Sequence, residues 1–522
     1  MKNLIAFTLF LPFAFTSCKN ETADVYFLDQ QLALPQKLEQ LLSPVHLDSL
    51  HIDSSAQRLL ISFYKQRNYQ PLWCTESGLT NQGQLIQELL KNPIAFGLPG
   101  KRYQISNWDS IYVLKNEVRI TALLSAMPAD LKNGFFDAEK KQLRSKTYCQ
   151  LNQLDTLFSF PNERQQIASK IIAWGCADTN YLQLAHALFR FATSHPFENL
   201  VQKIPTQKAD SAASVQNSKI ALIHKGYLHS DSTSLTAYLA SLKQFQLENG
   251  QTPDGIVGTS TALALEESNL HKCRRAALAM EKWRWKNGFK SPSIWVNIPE
   301  FKLRYFVNDS LKSENKVIVG KFSNQTPEFR ANLRAIVSFP YWNVPYSISS
   351  TEMLPAARKN PGYFARNHLK LYRKDQEIDP FSVNWGKIKD KSFPYSVRQE
   401  PGKHNALGIV KFEFHNPFGV YVHDTPQKSL FNTTVRAYSH GCVRCENPVD
   451  LAKMLLFYDE NTQLPDSLDT LIQHQIHKTI PLRKHIPIQF DYITVGTTKS
   501  GNLHFYKDIY RKDDAYLKLL FE

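Results

Sequence analysis

Cysteine is scarce in this 522-residue chain: there are seven, an odd number, at positions 18, 74, 149, 176, 273, 442 and 445. So few thiols exclude a disulfide scaffold of the small secreted kind. Cys442 and Cys445 form a C-x-x-C pair, and no second pair stands elsewhere to complete a four-cysteine zinc site. Acidic residues run short as well. Lys+Arg of 62 against Asp+Glu of 47 leaves a net charge of +15, which favours acidic surroundings such as carboxylate-rich peptides or anionic lipid headgroups. No nucleic-acid motif accompanies that charge. After the first fifteen residues no apolar run is long enough to span a bilayer as a helix. What remains is ordinary for folded protein, 43% hydrophobic and 21% charged, and the length calls for two to four domains.

The densest chemistry lies in Tyr438-Ser439-His440-Gly441-Cys442-Val443-Arg444, with His423 upstream at the end of the apolar stretch Phe418-Gly419-Val420-Tyr421-Val422. A free thiol holds only a few per cent of thiolate at neutral pH, so a reactive cysteine needs a neighbouring base. His423 is the candidate. Gly441 lets backbone approach a substrate carbonyl, and its amide with that of Cys442 offers donors to a developing oxyanion. Two other uses of the same residues stay open: a metal site drawing on Cys442, Cys445, His423 and His440, and a redox pair. A buried apolar thiol is the commonest fate for Cys445.

His423-Asp424-Thr425-Pro426 followed by Ser439-His440-Gly441-Cys442-Val443-Arg444 resembles the signature of the L,D-transpeptidase (YkuD-type) catalytic domain, in its large multidomain Gram-negative branch. The resemblance implies acyl transfer on peptidoglycan stem tetrapeptides through a Cys442 thioester, with release of D-alanine and formation of 3→3 cross-links. It implies Cys442 as nucleophile, His423 as general base and acid, the main-chain carbonyl of Asp424 orienting His423, and support from Ser439, His440 and Gly441 around the oxyanion. Arg444 suits a stem carboxylate, because its planar fork fits one bidentately, and a structural ion pair is its other reading. Tyr341 and Trp342 are candidates for the donor groove or for the core. No cofactor, metal or nucleic acid is implied; the partners are donor and acceptor stem peptides. Hydrolysis as an L,D-carboxypeptidase, attachment of a protein to the wall, and a catalytically silent wall-binding lipoprotein are the rival readings.

The amino terminus carries one lysine, the apolar run from Leu4 to Phe15, then Thr16-Ser17-Cys18, which reads as a secretory signal. Cys18 after a small residue resembles a lipoprotein box, which implies lipidation at Cys18 and a membrane-anchored protein in the periplasm of a Gram-negative bacterium; an ordinary signal peptide is the alternative. The expected organisation is multidomain α+β. A signal at 1–17 and a tether at 18–45 lead into a helical scaffold domain at 46–198, a linker at 199–216 and a three-helix unit at 217–270. A β-rich, sandwich- or barrel-like catalytic domain follows at 290–495, and a C-terminal extension at 496–522. Helical spacing of Leu235, Leu239, Leu242 and Phe245 after Ser232 and Ser234, then the Pro253-Asp254-Gly255 turn, marks the three-helix unit. Together with Gly226-Tyr227 and Phe245-Gln246 it resembles a peptidoglycan-binding domain. Strand alternation at Ile294-Val296-Ile298 and Phe301-Leu303-Tyr305 marks the catalytic domain. About 347–404 breaks that alternation with prolines and aromatics, and the resemblance implies an inserted lid there.

Overall fold

The computed structural model describes residues 32–103, 113–137, 139–140, 142–149, 163–197, 203–230, 234–286, 291–389, 392–459 and 465–522. The signal segment, Cys18, residues 199–202 of the expected linker and Ser232 lie outside the described residues. The chain divides into two compact units, one drawn from 1–92, 103–130 and 146–170, the other from 93–102, 131–145 and 171–522.

In the first unit, helix Ser54–Gln66 starts at Asp53, whose carboxylate accepts from the N–H groups of Ser55 and Ala56 at 3.2 and 3.1 Å. Its buried side carries Tyr64, which donates to Glu117 at 2.7 Å. Glu117 also accepts from the main-chain N–H of Leu72 and Trp73, at 2.8 and 2.7 Å. A buried carboxylate left without such donors would be costly, so these bonds fix the helix and the following turn in one arrangement.

The second unit opens with helices Thr179–Ser194 and Asn269–Arg284. Glu281 gathers the N–H groups of Phe135 and Phe136 at 3.0 and 2.9 Å, and pairs with the fully buried Arg284 at 3.0 Å. Three helices, Ser211–His224, Leu235–Glu248 and Thr259–Glu266, enclose Leu222, Tyr238, Leu242, Phe245, Val257 and Leu265. Ser234 caps the second, accepting from Ala237 N–H at 3.4 Å. The Gln246 amide, 1% exposed, donates to Asp254 and accepts from Gly255 N–H, which is why Phe245-Gln246 and Asp254-Gly255 travel together. The expected linker at 199–216 needs correction. Its second half enters helix Ser211–His224, which buries Ser214 and Ser218 along with Ala221. Small hydroxyl residues make the first half of that helix's inner face, so no apolar rhythm announces its start.

The β-rich domain is built, among the described residues, on nine strands in the order Ala437–Ser439, Ser310–Gly320, Val443–Cys445, Val422–His423, Val410–Phe414, Phe329–Ser338, Lys478–Asp491, Ser293–Asn297, Lys302–Val307. Lys302–Val307 also pairs with Ser310–Gly320, so the sheet closes on itself. Alternation decides what fills it: Val410, Phe412 and Phe414 point inward, as do Val443 and Cys445. Each such side chain contributes about 1.5–3 kcal/mol on burial. Helix Pro448–Tyr458 adds Leu451, Leu455 and Leu456 to the same core. The 496–522 segment folds onto this domain and contributes Tyr510 to the core.

The inserted segment is a subdomain with its own core of Leu354, Phe364, Leu371, Trp385 and Val397. Its four strands run in the order Gln376–Ile378, Leu369–Arg373, Ser396–Gln399, Trp342–Asn343. It therefore begins at Trp342, ahead of the expected 347, because Trp342 and Asn343 pair with Gln399 and Arg398. No helix among the described residues is long and apolar enough to cross a membrane.

Candidate active site

Val422–His423 and Val443–Cys445 are adjacent parallel strands, with Val422 opposite Val443 and His423 opposite Arg444. The ladder continues one step further through Val443 N–H to the Tyr421 carbonyl at 3.0 Å. Val422 and Val443 point into the core, so the intervening residues Tyr421, His423, Cys442 and Arg444 share the opposite face. Strand neighbours lie about 4.8 Å apart, which brings the predicted nucleophile and base to one small patch. Cys445 faces the core instead and is fully buried. A Cys442–Cys445 redox pair is thus corrected: the two thiols project to opposite sides of one short strand.

The turn that presents Cys442 is held from several directions. Gly441 has φ +112°, a region that disfavours any residue with a Cβ. Ser439 Oγ donates to the Cys442 carbonyl at 2.5 Å and accepts from Gly441 N–H at 3.1 Å. The Gly441 amide, expected as an oxyanion donor, is therefore engaged by Ser439 in this structure. No hydrogen bond occupies the Cys442 amide among the described residues. Behind the turn, Thr326 Oγ1 donates to the Gly441 carbonyl at 2.8 Å and accepts from Gly320 N–H at 2.9 Å. Tyr510 closes that chain, accepting from Thr326 N–H at 3.1 Å and donating to the Gly320 carbonyl at 2.7 Å.

The thiol's nearest hydrogen-bonding groups are Tyr421 and the Gly419 carbonyl, the latter at 3.8 Å. The Tyr421 hydroxyl in turn takes a hydrogen bond from Trp342. Burial pushes the Cys442 thiol up from its ordinary value of 9.0, with Tyr421, Lys411 and Arg444 opposing it. Burial likewise pushes His423 down to about 3, helped by the charges of Arg444 and Lys411, while the Asp424 main chain opposes. His423 Nδ1 nonetheless lacks a hydrogen bond of standard geometry. At neutral pH the two therefore stand as thiol and uncharged imidazole.

The other predicted residues divide. Asp424 commits its carboxylate to Ile409 N–H at 2.9 Å and Lys428 at 2.7 Å, while its main chain is the group that opposes the lowering of His423. Arg444 makes no ion pair among the described residues; it donates to Gln427 at 2.7 Å, and its Nε is buried without a partner. Its expected alternative as a structural salt bridge is corrected accordingly. His440 places Nε2 2.5 Å from Glu352 and 3.4 Å from Lys321. Tyr341 is exposed, edge-on to His477 and under Arg398, whereas Trp342 packs on the core of the inserted subdomain. Tyr421 escaped the sequence reading. Its signal was there: it sits two residues before His423, and period-2 alternation puts both on one face.

These features define a multidomain protein whose closed β-sheet presents a cysteine and a histidine on neighbouring strands, fit for acyl transfer. Residues 291–473 match the L,D-transpeptidase catalytic domain family, YkuD, and residues 58–188 match the Scaffold domain family. A Haemophilus influenzae protein provisionally named an L,D-transpeptidase is 34% identical over 249 residues, 48% of this chain and 49% of that protein. The chain spans about half the length of this curated relative. The chain thus carries a region similar to the YkuD L,D-transpeptidase catalytic domain and another similar to the Scaffold domain.

Proposed function

We propose that this protein forms 3→3 peptidoglycan cross-links by a cysteine acyl-enzyme route, taking a stem tetrapeptide as donor and releasing D-alanine. The observation that carries the reading is the shared face of Tyr421, His423, Cys442 and Arg444 within a YkuD domain. Because thiol and imidazole rest uncharged, the proton passes from Cys442 Sγ to His423 as sulfur attacks the carbonyl of the third stem residue. The unoccupied Cys442 amide is the donor for the oxyanion, and loss of one such donor raises a barrier by about 3 kcal/mol. His423 then protonates the departing D-alanine amine, and the Asp424 carbonyl keeps the ring oriented. The half-buried guanidinium of Arg444, without an ion pair among the described residues, receives a stem carboxylate.

The inserted subdomain acts as a lid that excludes water from the thioester and so favours transfer over hydrolysis. The three-helix unit supplies wall binding. A wall substrate lies outside the cytoplasm, so the reading carries export with it, with lipidation of Cys18 as the anchor.

In the test, the full chain is given a disaccharide-tetrapeptide and released D-alanine is measured. Cys442→Ala is expected to abolish release; wild-type rates in that variant would end the proposal.

A further inference from the structure

The charges acting on the Cys442 sulfur, Lys411 and Arg444, are both positive, and Lys321 adds a third cation beside His440. A primary-amine acceptor arrives at neutral pH as an ammonium, since amines of this kind titrate near 10. That field repels it. Most carboxylates nearby are already committed. Asp424 is held by Ile409 and Lys428, Glu413 by Lys411, and Glu446 by Lys316. Glu352 differs. It comes from the inserted subdomain, 88 positions away in sequence, and reaches the nucleophile loop with Oε1 2.5 Å from His440 Nε2. Its side chain is 47% exposed, and its second oxygen has no partner among the described residues. His440 is separated from Cys442 by Gly441 alone.

We propose that Glu352 seats the acceptor's ammonium at the acyl-enzyme: the inserted subdomain brings a half-exposed carboxylate to the nucleophile loop, held there against His440 rather than neutralised by a lysine salt bridge. The inference rests on the acyl-transfer reading above and adds acceptor selection to it. Seated by Glu352, the ammonium loses one proton to water, and the nitrogen lone pair forms the new C–N bond at the thioester carbonyl. The C–S bond breaks with its electron pair returning to Cys442. A second nitrogen proton passes through His423 to the sulfur, which restores thiol and imidazole, and the third stays on the amide. Nothing else is consumed.

The experiment uses the full chain with a tetrapeptide donor and, as acceptor, a stem peptide carrying a free diamino-acid amine. D-alanine release, cross-linked product and hydrolysed product are measured together. Glu352→Gln is expected to raise the apparent KM for the acceptor about tenfold and to lower the ratio of cross-link to hydrolysis by a similar factor, while the donor KM does not follow. Glu352→Asp, which keeps the charge, recovers part of the ratio. An unchanged ratio in Glu352→Gln overturns the assignment. So does an equal fall of release and cross-linking that Glu352→Asp does not relieve, which would make Glu352 a support for the His440 loop. Absence of D-alanine release in the unmodified protein would instead overturn the acyl-transfer reading itself.

Discussion

At neutral pH the Cys442 sulfur carries its proton, and alkylation by iodoacetamide reads that state directly. Burial pushes the thiol up from its ordinary value of 9.0, so the protonated form dominates at pH 7. His423, pushed down to about 3, is uncharged from pH 4 upward and adds no inflection near its usual 6.5. The sign follows: with the base already neutral, acid does not switch it off in the working range, and reactivity climbs with hydroxide. Between pH 6 and pH 8 the alkylation rate at Cys442 should rise about 100-fold, the tenfold per unit of a thiol below its pKa. A preformed imidazolium–thiolate pair would instead give a nearly level rate over the same interval. The assay quenches timed samples, digests them and quantifies the Cys442 peptide by mass spectrometry, because Cys149 and Cys176 are also partly accessible. A change of less than about threefold between pH 6 and pH 8 would refute the neutral-pair description.

Two further expectations test the scaffolding of the site and of the second unit. Ser439→Ala removes the acceptor of Gly441 N–H and the donor to the Cys442 carbonyl, about 1–3 kcal/mol of loop order, and D-alanine release should fall at least tenfold with an unchanged circular-dichroism spectrum; full activity would show that the loop holds itself. Glu281→Ala leaves the Arg284 charge buried and two main-chain donors orphaned, so urea unfolding should show a loss of about 3–5 kcal/mol. An unaltered midpoint would mean that water replaces the carboxylate.

The shared face of Cys442 and His423 was legible because both are tied to strand ends, and strand alternation can be read one residue at a time. Val422 and Val443 mark the inward phase, so His423 and Cys442 had to face the other way. The same rule exposes Tyr421. The three-helix unit was legible through its turn, where Gln246 reads Asp254 and Gly255. Less was legible where small groups pack. Up to residue 216, where the expected linker ended, helix Ser211–His224 buries only Ser214, and its apolar core residues Ala221 and Leu222 come later, so that first half looks like linker. Engagement of the Gly441 amide depends on one hydroxyl rotamer in a four-residue turn, which residue types alone do not specify. Glu352 needed the fold of the inserted subdomain to bring it to His440, across a separation that no local pattern spans. The start of that subdomain at Trp342 follows from pairing with residues beyond 395, again a long-range fact.

Tyr510 lies far downstream of Cys442, yet through Gly320 and Thr326 it braces the backbone just behind the sulfur. During synthesis the nucleophile leaves the ribosome well before the tyrosine that steadies it. A nascent or clipped chain that stops short of Tyr510 has Cys442 but not this last brace, so the backbone geometry behind the sulfur is completed only after the strands that carry it have been made.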